Sequence, residues 1–84
     1  MYTVYVLKSA KDNNLYVGCT SDLKERLKSH NSGRVFSTKS RLPVSLIYTE
    51  KFDNKYKAFN KEKFYKTAKG KKELKEKINN CRVV

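Results

Sequence analysis

Thr3-Val4-Tyr5-Val6-Leu7 and Leu15-Tyr16-Val17-Gly18-Cys19, joined through Lys11-Asp12-Asn13-Asn14, are the stretch on which the fold turns. Both segments are rich in β-branched and aromatic residues, which suit a pleated, half-buried surface. The Asp and Asn residues between them supply turn chemistry, because their side chains bond nearby backbone and Asn tolerates the left-handed region. The pattern predicts an N-terminal β-hairpin. Tyr5 and Tyr16 fall on its two strands, and whether they share a face depends on a register that sequence leaves open. The commoner role of a strand tyrosine is packing, with the hydroxyl reaching solvent or backbone.

Working outward, Thr20-Ser21-Asp22 offers N-cap residues for a short helix, in which Leu23 and Leu27 fall one turn apart and Asn31-Ser32-Gly33 supplies a stop. Residues 34–41 are polar and basic without a period and read as a loop. Pro43 breaks the chain before a third strand over 44–48, where Val44, Leu46 and Tyr48 alternate. Asp53-Asn54 can cap a second helix over about 55–68, with Ala58, Glu62 and Tyr65 on one stripe and Phe59 and Phe64 elsewhere. Gly70 reads as an interruption, and 71–79 as a last helix whose stripe is Leu74 and Ile78. The expected order is β-β-α-β-α-α, an α+β chain. Its 84 residues suit a single domain over 1–80 with a tail at 81–84.

Charge narrows the partners. Twenty Lys and Arg against eight Asp and Glu leave a formal net charge of +12, a field that attracts polyanions. No apolar run approaches the roughly 20 residues of a membrane span, so nucleic acid is the expected partner and a membrane is not. Cys19 and Cys81 stand far apart, with no CxxC pair and no Cys/His cluster that could close a zinc site. The N-terminus lacks the features of a secretory signal, so the expected location is cytoplasmic, with reduced thiols. Nothing in the sequence sets an oligomeric state.

Candidate chemistry is sparse. A hard divalent ion needs carboxylate oxygen, and most acidic residues have simpler explanations: Asp12 and Asp53 in turn and cap positions, Glu25, Glu73 and Glu76 among helix lysines. Glu62 differs, since its stripe should face the protein, where a carboxylate wants a partner. That partner is either a metal ion or a basic side chain. On the first helix Asp22, Arg26 and His30 share one face; Arg26 can hold a phosphate, or simply pair with Asp22. A lone His30 near a helix end is more often a capping or packing residue. The run over 69–72 is dense in lysine, and such runs are usually solvated surface.

Taken together the motifs resemble a known family. Val4-Tyr5-Val6 and Tyr16-Val17-Gly18 resemble the paired elements of GIY-YIG endonucleases, with ten residues between the tyrosines. They are followed by Asp22-Leu23-Lys24-Glu25-Arg26-Leu27, His30-Asn31-Ser32-Gly33, Ser37-Thr38, Arg41-Leu42-Pro43, and Ala58, Glu62 and Lys66 in the family's arrangement. The likeness runs from Thr3 to about Leu74, and is greatest to the small stand-alone bacterial, YhbQ-like members. It implies a small central antiparallel three-stranded sheet flanked by helices, and a metal-dependent endonuclease that hydrolyses phosphodiester bonds in DNA ahead of RNA, with branched or damaged DNA and DNA repair among the candidate settings.

The resemblance also implies roles. Tyr5 would be the general base with Tyr16 beside it, Arg26 would neutralise the scissile phosphate, His30 would assist in the same cleft, and Glu62 would hold one divalent cation, Mg²⁺ or Mn²⁺. Arg26 and Lys66 would contact nucleic acid, and Gly18 would let the backbone pass close beneath the site. A tyrosine with an ordinary pKa of about 10 needs positive charge nearby to serve as a base. Two features depart from the family pattern: Cys19 stands where the excision-repair branch carries a Lys, and no clear equivalent of a C-terminal Asn used by several relatives is found near Asn79 and Asn80. The alternative to a nuclease is a non-cleaving basic module that binds nucleic acid on the same fold.

Overall fold

A computed structural model of the chain describes residues 1–35 and 42–81. Its elements follow the expected order: β1 (Tyr2–Ser9), β2 (Leu15–Thr20), α1 (Leu23–Asn31), β3 (Val44–Phe52), α2 (Lys55–Tyr65) and α3 (Ala68–Cys81). Ser37-Thr38, Arg41 and the last three tail positions lie outside the described residues. No helix among the described residues is long and apolar enough to cross a membrane.

The hairpin turn closes as its residues dictate. Ser9 N donates to Asn14 O at 3.0 Å, Asn13 adopts φ 61, and Asp12 Oδ1 accepts from Asn14 N at 3.0 Å. β1 is the central strand of an antiparallel sheet ordered β2-β1-β3. Its side chains alternate between two cores. Val4 and Val6 join Val17, Ala58, Tyr65, Leu74 and Ile78 beneath α2 and α3, whereas Tyr5 and Leu7 join Val44, Leu23 and Leu27 beneath α1. Burial on both faces explains why β1 reads as a nearly continuous apolar run.

Two caps match expectation: Asp22 Oδ1 accepts from Glu25 N at 3.2 Å, and Asn54 Oδ1 accepts from Tyr56 N at 2.7 Å. Other boundaries differ. β3 continues past Tyr48 to Phe52, pairing with Tyr2, Thr3 and Val4, and a bulge at Ile47 lets Val6 oppose Tyr48 while Leu7 opposes Leu46. The second helix ends at Tyr65 rather than 68, and the last begins at Ala68 rather than 71 and runs through Cys81. Thr67 makes that join, its hydroxyl accepting from Gly70 N at 3.0 Å and donating to Phe64 O at 2.6 Å. Gly70 therefore does not interrupt a helix. It lies buried in the first turn of α3, where a Cβ would overlap the Phe64 carbonyl, and its lack of a side chain lets the two helices meet.

On the α2/α3 side of the sheet, Glu50 of β3 anchors a polar cluster. Its carboxylate accepts from Tyr65 Oη at 2.7 Å, Tyr48 Oη at 2.8 Å and Lys77 Nζ at 3.1 Å, and Lys77 also donates to Tyr65 Oη at 2.9 Å. Burial pushes the Glu50 carboxyl up, but the bonds from Tyr65, Tyr48 and Lys77 outweigh it and hold the group below its ordinary value. Burial, and then the adjoining carboxylate, push Tyr65 up to about 12.

Candidate active site

The register that sequence left open places both hairpin tyrosines on the α1 face. Tyr5 lies opposite Gly18 and Leu7 opposite Tyr16, so the two tyrosines are diagonal neighbours. Tyr5 is 1% exposed, and a Cβ at position 18 would overlap its ring and hydroxyl. Glycine is thus required there for space, to seat the tyrosine, rather than for an unusual backbone angle.

Helix α1 brings Arg26 and His30, one turn apart, down onto that ring. Arg26 Nε donates to Tyr5 Oη at 3.3 Å, and Tyr5 Oη lies 3.0 Å from His30 Nε2. The Tyr16 ring packs edge-on against the His30 ring with centroids 5.3 Å apart. Asp22 serves as the helix cap instead of pairing with Arg26, which makes no ion pair among the described residues.

Burial pushes the Tyr5 phenol up from its ordinary value, while the hydrogen bond and charge of Arg26 pull it down without fully offsetting burial. Burial and then Arg26 push the His30 imidazole down, so near neutrality it is uncharged and one ring nitrogen can accept. Arg26 Nε–H is directed at the phenol oxygen, and the phenol proton can pass to His30 Nε2 when the ring proton is on Nδ1. Arg26 itself is solvent-exposed.

Glu62 enters from α2, which packs against β1 and β2. Its side chain is 22% exposed, and Oε2 bonds Lys66 Nζ at 2.9 Å, one turn along the helix. Its negative field raises the pKa of both Tyr5 and the partly buried Cys19, after burial in each case. Cys19 is thereby kept as a thiol. Among the described residues no group of three or more His, Cys, Asp and Glu side chains could hold an ion, so a cation at Glu62 would have few protein ligands. That suits Mg²⁺, which keeps several waters and binds through one or two carboxylates and substrate phosphate.

Tyr5, Arg26 and His30 thus form one bonded cluster against which the Tyr16 ring packs, with Glu62 acting on Tyr5 through its field and Lys66 bonded to Glu62. One feature beside it had no sequence signal. A groove of about 460 Å³ opens next to Tyr16 and Lys66, between the hairpin turn at Asn13 and Asn14 and the α3 lysines Lys71 and Lys75. Its residues come from three distant segments.

Comparison with known proteins gives the family. The family model for the GIY-YIG catalytic domain matches residues 1–79. A UPF0213 protein of Streptococcus pyogenes serotype M5 is 49% identical over 67 residues, covering 79% of this chain and 72% of that protein. A UPF0213 protein of serotype M3 is 48% identical over the same coverage. The solution NMR structure of the UPF0213 protein BH0048 from Bacillus halodurans superposes with a TM-score of 0.57 at 34% identity, covering 90% of this chain and 84% of that one.

Proposed function

This chain belongs to the GIY-YIG nuclease family, and from that premise we propose that it is a metal-dependent endonuclease hydrolysing phosphodiester bonds in DNA. The observation that carries the proposal is the Tyr5 hydroxyl held between an exposed cation, Arg26, and a buried imidazole, His30. Arg26 has no carboxylate partner among the described residues, and a phosphate is the natural counter-ion for its guanidinium fork.

The bonding pattern also answers the difficulty with tyrosine as a base. Burial disfavours a free phenolate at Tyr5, so the hydroxyl works best as a relay: it passes its proton to His30 Nε2 as it takes one from the attacking water. Arg26 stabilises the phenol oxygen during that exchange and the charge growing on the phosphate. Tyr16, less buried, orients His30 and flanks the phosphate. A divalent ion bound at Glu62 would supply Lewis-acid polarisation of the phosphate and a more acidic water. Lys66, released from Glu62, would then be free for backbone phosphate.

The Glu62–Lys66 ion pair also favours a second reading, a module that binds nucleic acid without cutting it, because a carboxylate satisfied by lysine needs no metal. Cleavage separates the two. Labelled linear, nicked, flapped and single-stranded DNA, and RNA, would be incubated with Mg²⁺ or Mn²⁺, with and without EDTA, comparing wild type with Glu62→Gln. The nuclease proposal expects cutting that EDTA and Glu62→Gln abolish. Binding without cutting, unchanged by either, supports the module.

A further inference from the structure

We propose that the groove beside Tyr16 is a nucleotide-binding subsite in which Lys71 and Lys75 hold the strand that flanks the scissile phosphate, and that this strand must be unpaired there to enter. Placing the scissile bond next to the groove rests on the nuclease proposal above; the groove's own chemistry does not. Continuity is the first support: Lys66, bonded to Glu62, lines the groove, as does Tyr16, whose side chain faces the other side of the edge strand β2. A strand whose phosphate lies at Arg26 would cross the β2 edge to enter the groove.

Charge is the second support. Lys66, Lys71 and Lys75 line the groove, and none of its described lining residues is acidic. Lys71 and Lys75 lie one turn apart on α3, an arrangement of like charges that weakens an isolated helix and that a polyanion would relieve. Shape is the third. Leu15, Val17 and Leu74 floor the groove, with Asn13 and Asn14 of the hairpin turn at one end. An apolar floor suits a base, Asn residues suit its polar edge, and lysines suit its phosphates. About 460 Å³ lies in the range of small-ligand sites, enough for a nucleotide but not for a base-paired helix. A duplex could rest on the rim lysines, yet it would leave the floor empty.

The test is binding measured in EDTA, where nothing is cut. Fluorescence anisotropy would compare a blunt DNA duplex, the same duplex with a single-stranded flap, and the free strand. The variants are Lys71→Ala with Lys75→Ala, and Lys71→Arg with Lys75→Arg, each checked by circular dichroism. Wild type should hold the flapped and single-stranded forms about tenfold more tightly than the blunt duplex, the scale of one stacked base. The double alanine variant should lose that preference and show a salt dependence shallower by about 1.4 in log–log slope, while the double arginine variant keeps both. Equal wild-type affinity for blunt and flapped DNA would overturn the proposal, as would full preference retained by the folded alanine variant. Cleavage is read separately. A protein that cuts nothing yet shows the lysine-dependent preference keeps the subsite and loses the nuclease; one that cuts with no such preference does the reverse.

Discussion

Tyr5 and Tyr65 are both essentially inaccessible to solvent, lie on opposite faces of the same small sheet, and each carries a hydroxyl held by two side chains. Their surroundings differ in charge. Around Tyr65, the Glu50 carboxylate is matched by the Lys77 ammonium and ringed by donors, so the cluster is complete as it stands. Around Tyr5 stand a guanidinium and a neutral imidazole, with no carboxylate bonded to either tyrosine or arginine among the described residues, and the guanidinium open to water. Burial and hydrogen bonding are common to both clusters. What separates the Glu50 cluster from the proposed phosphate site is the carboxylate that the Tyr5 cluster lacks among the described residues.

If that contrast is sound, the largest effect should come from Arg26. Arg26→Ala should cut cleavage by about 10²–10³-fold in kcat without unfolding the domain, and Arg26→Lys should restore only part, since ammonium lacks the planar fork. Glu50→Ala should act the other way, lowering unfolding free energy in urea by roughly 3 kcal/mol by stranding Tyr48, Tyr65 and Lys77, while the folded fraction still cuts at the wild-type rate. Gly70→Ala should cost roughly 2 kcal/mol by forcing α2 and α3 apart, again with no specific effect on cleavage. The smallest effect concerns pH. Because the folded-state pKa of Glu50 is depressed, its contribution is present above the unfolded value near 4.3 and is lost as pH falls through the folded value. The stability gap between wild type and Glu50→Gln should therefore hold above the unfolded value, narrow below it, and close as pH falls through the folded value in thermal melts.

The two clusters were not equally legible in the sequence. β1, β2 and the Asp22 and Asn54 caps rest on local patterns, and the order of elements follows from them. Gly18 and the two tyrosines stood out as a motif, although the shared face needed the Tyr5-to-Gly18 register to appear. The Glu50 cluster left no trace, because Glu50 sits among Thr49 and Lys51 in what reads as a polar end to β3, and its partners Tyr65 and Lys77 lie 15 and 27 positions away. The same non-local pairing hid the last four residues of β3. Gly70 misled for a related reason: its local propensity says break, whereas its role is contact between helices. Sequence could suggest that Tyr5 needs positive charge nearby, but not that burial would oppose the phenolate or that His30 Nε2 would lie 3.0 Å from its hydroxyl.

The most direct test of the central claim is a matched pair, Tyr5→Phe and Tyr65→Phe, each removing one buried hydroxyl and nothing else, read by both cleavage rate and thermal midpoint. The claim predicts that Tyr5→Phe loses cleavage by about 10²-fold or more with a midpoint near wild type, and that Tyr65→Phe melts earlier yet cuts normally when folded. Wild-type cleavage by Tyr5→Phe, or a loss of stability alone in both variants, would contradict it.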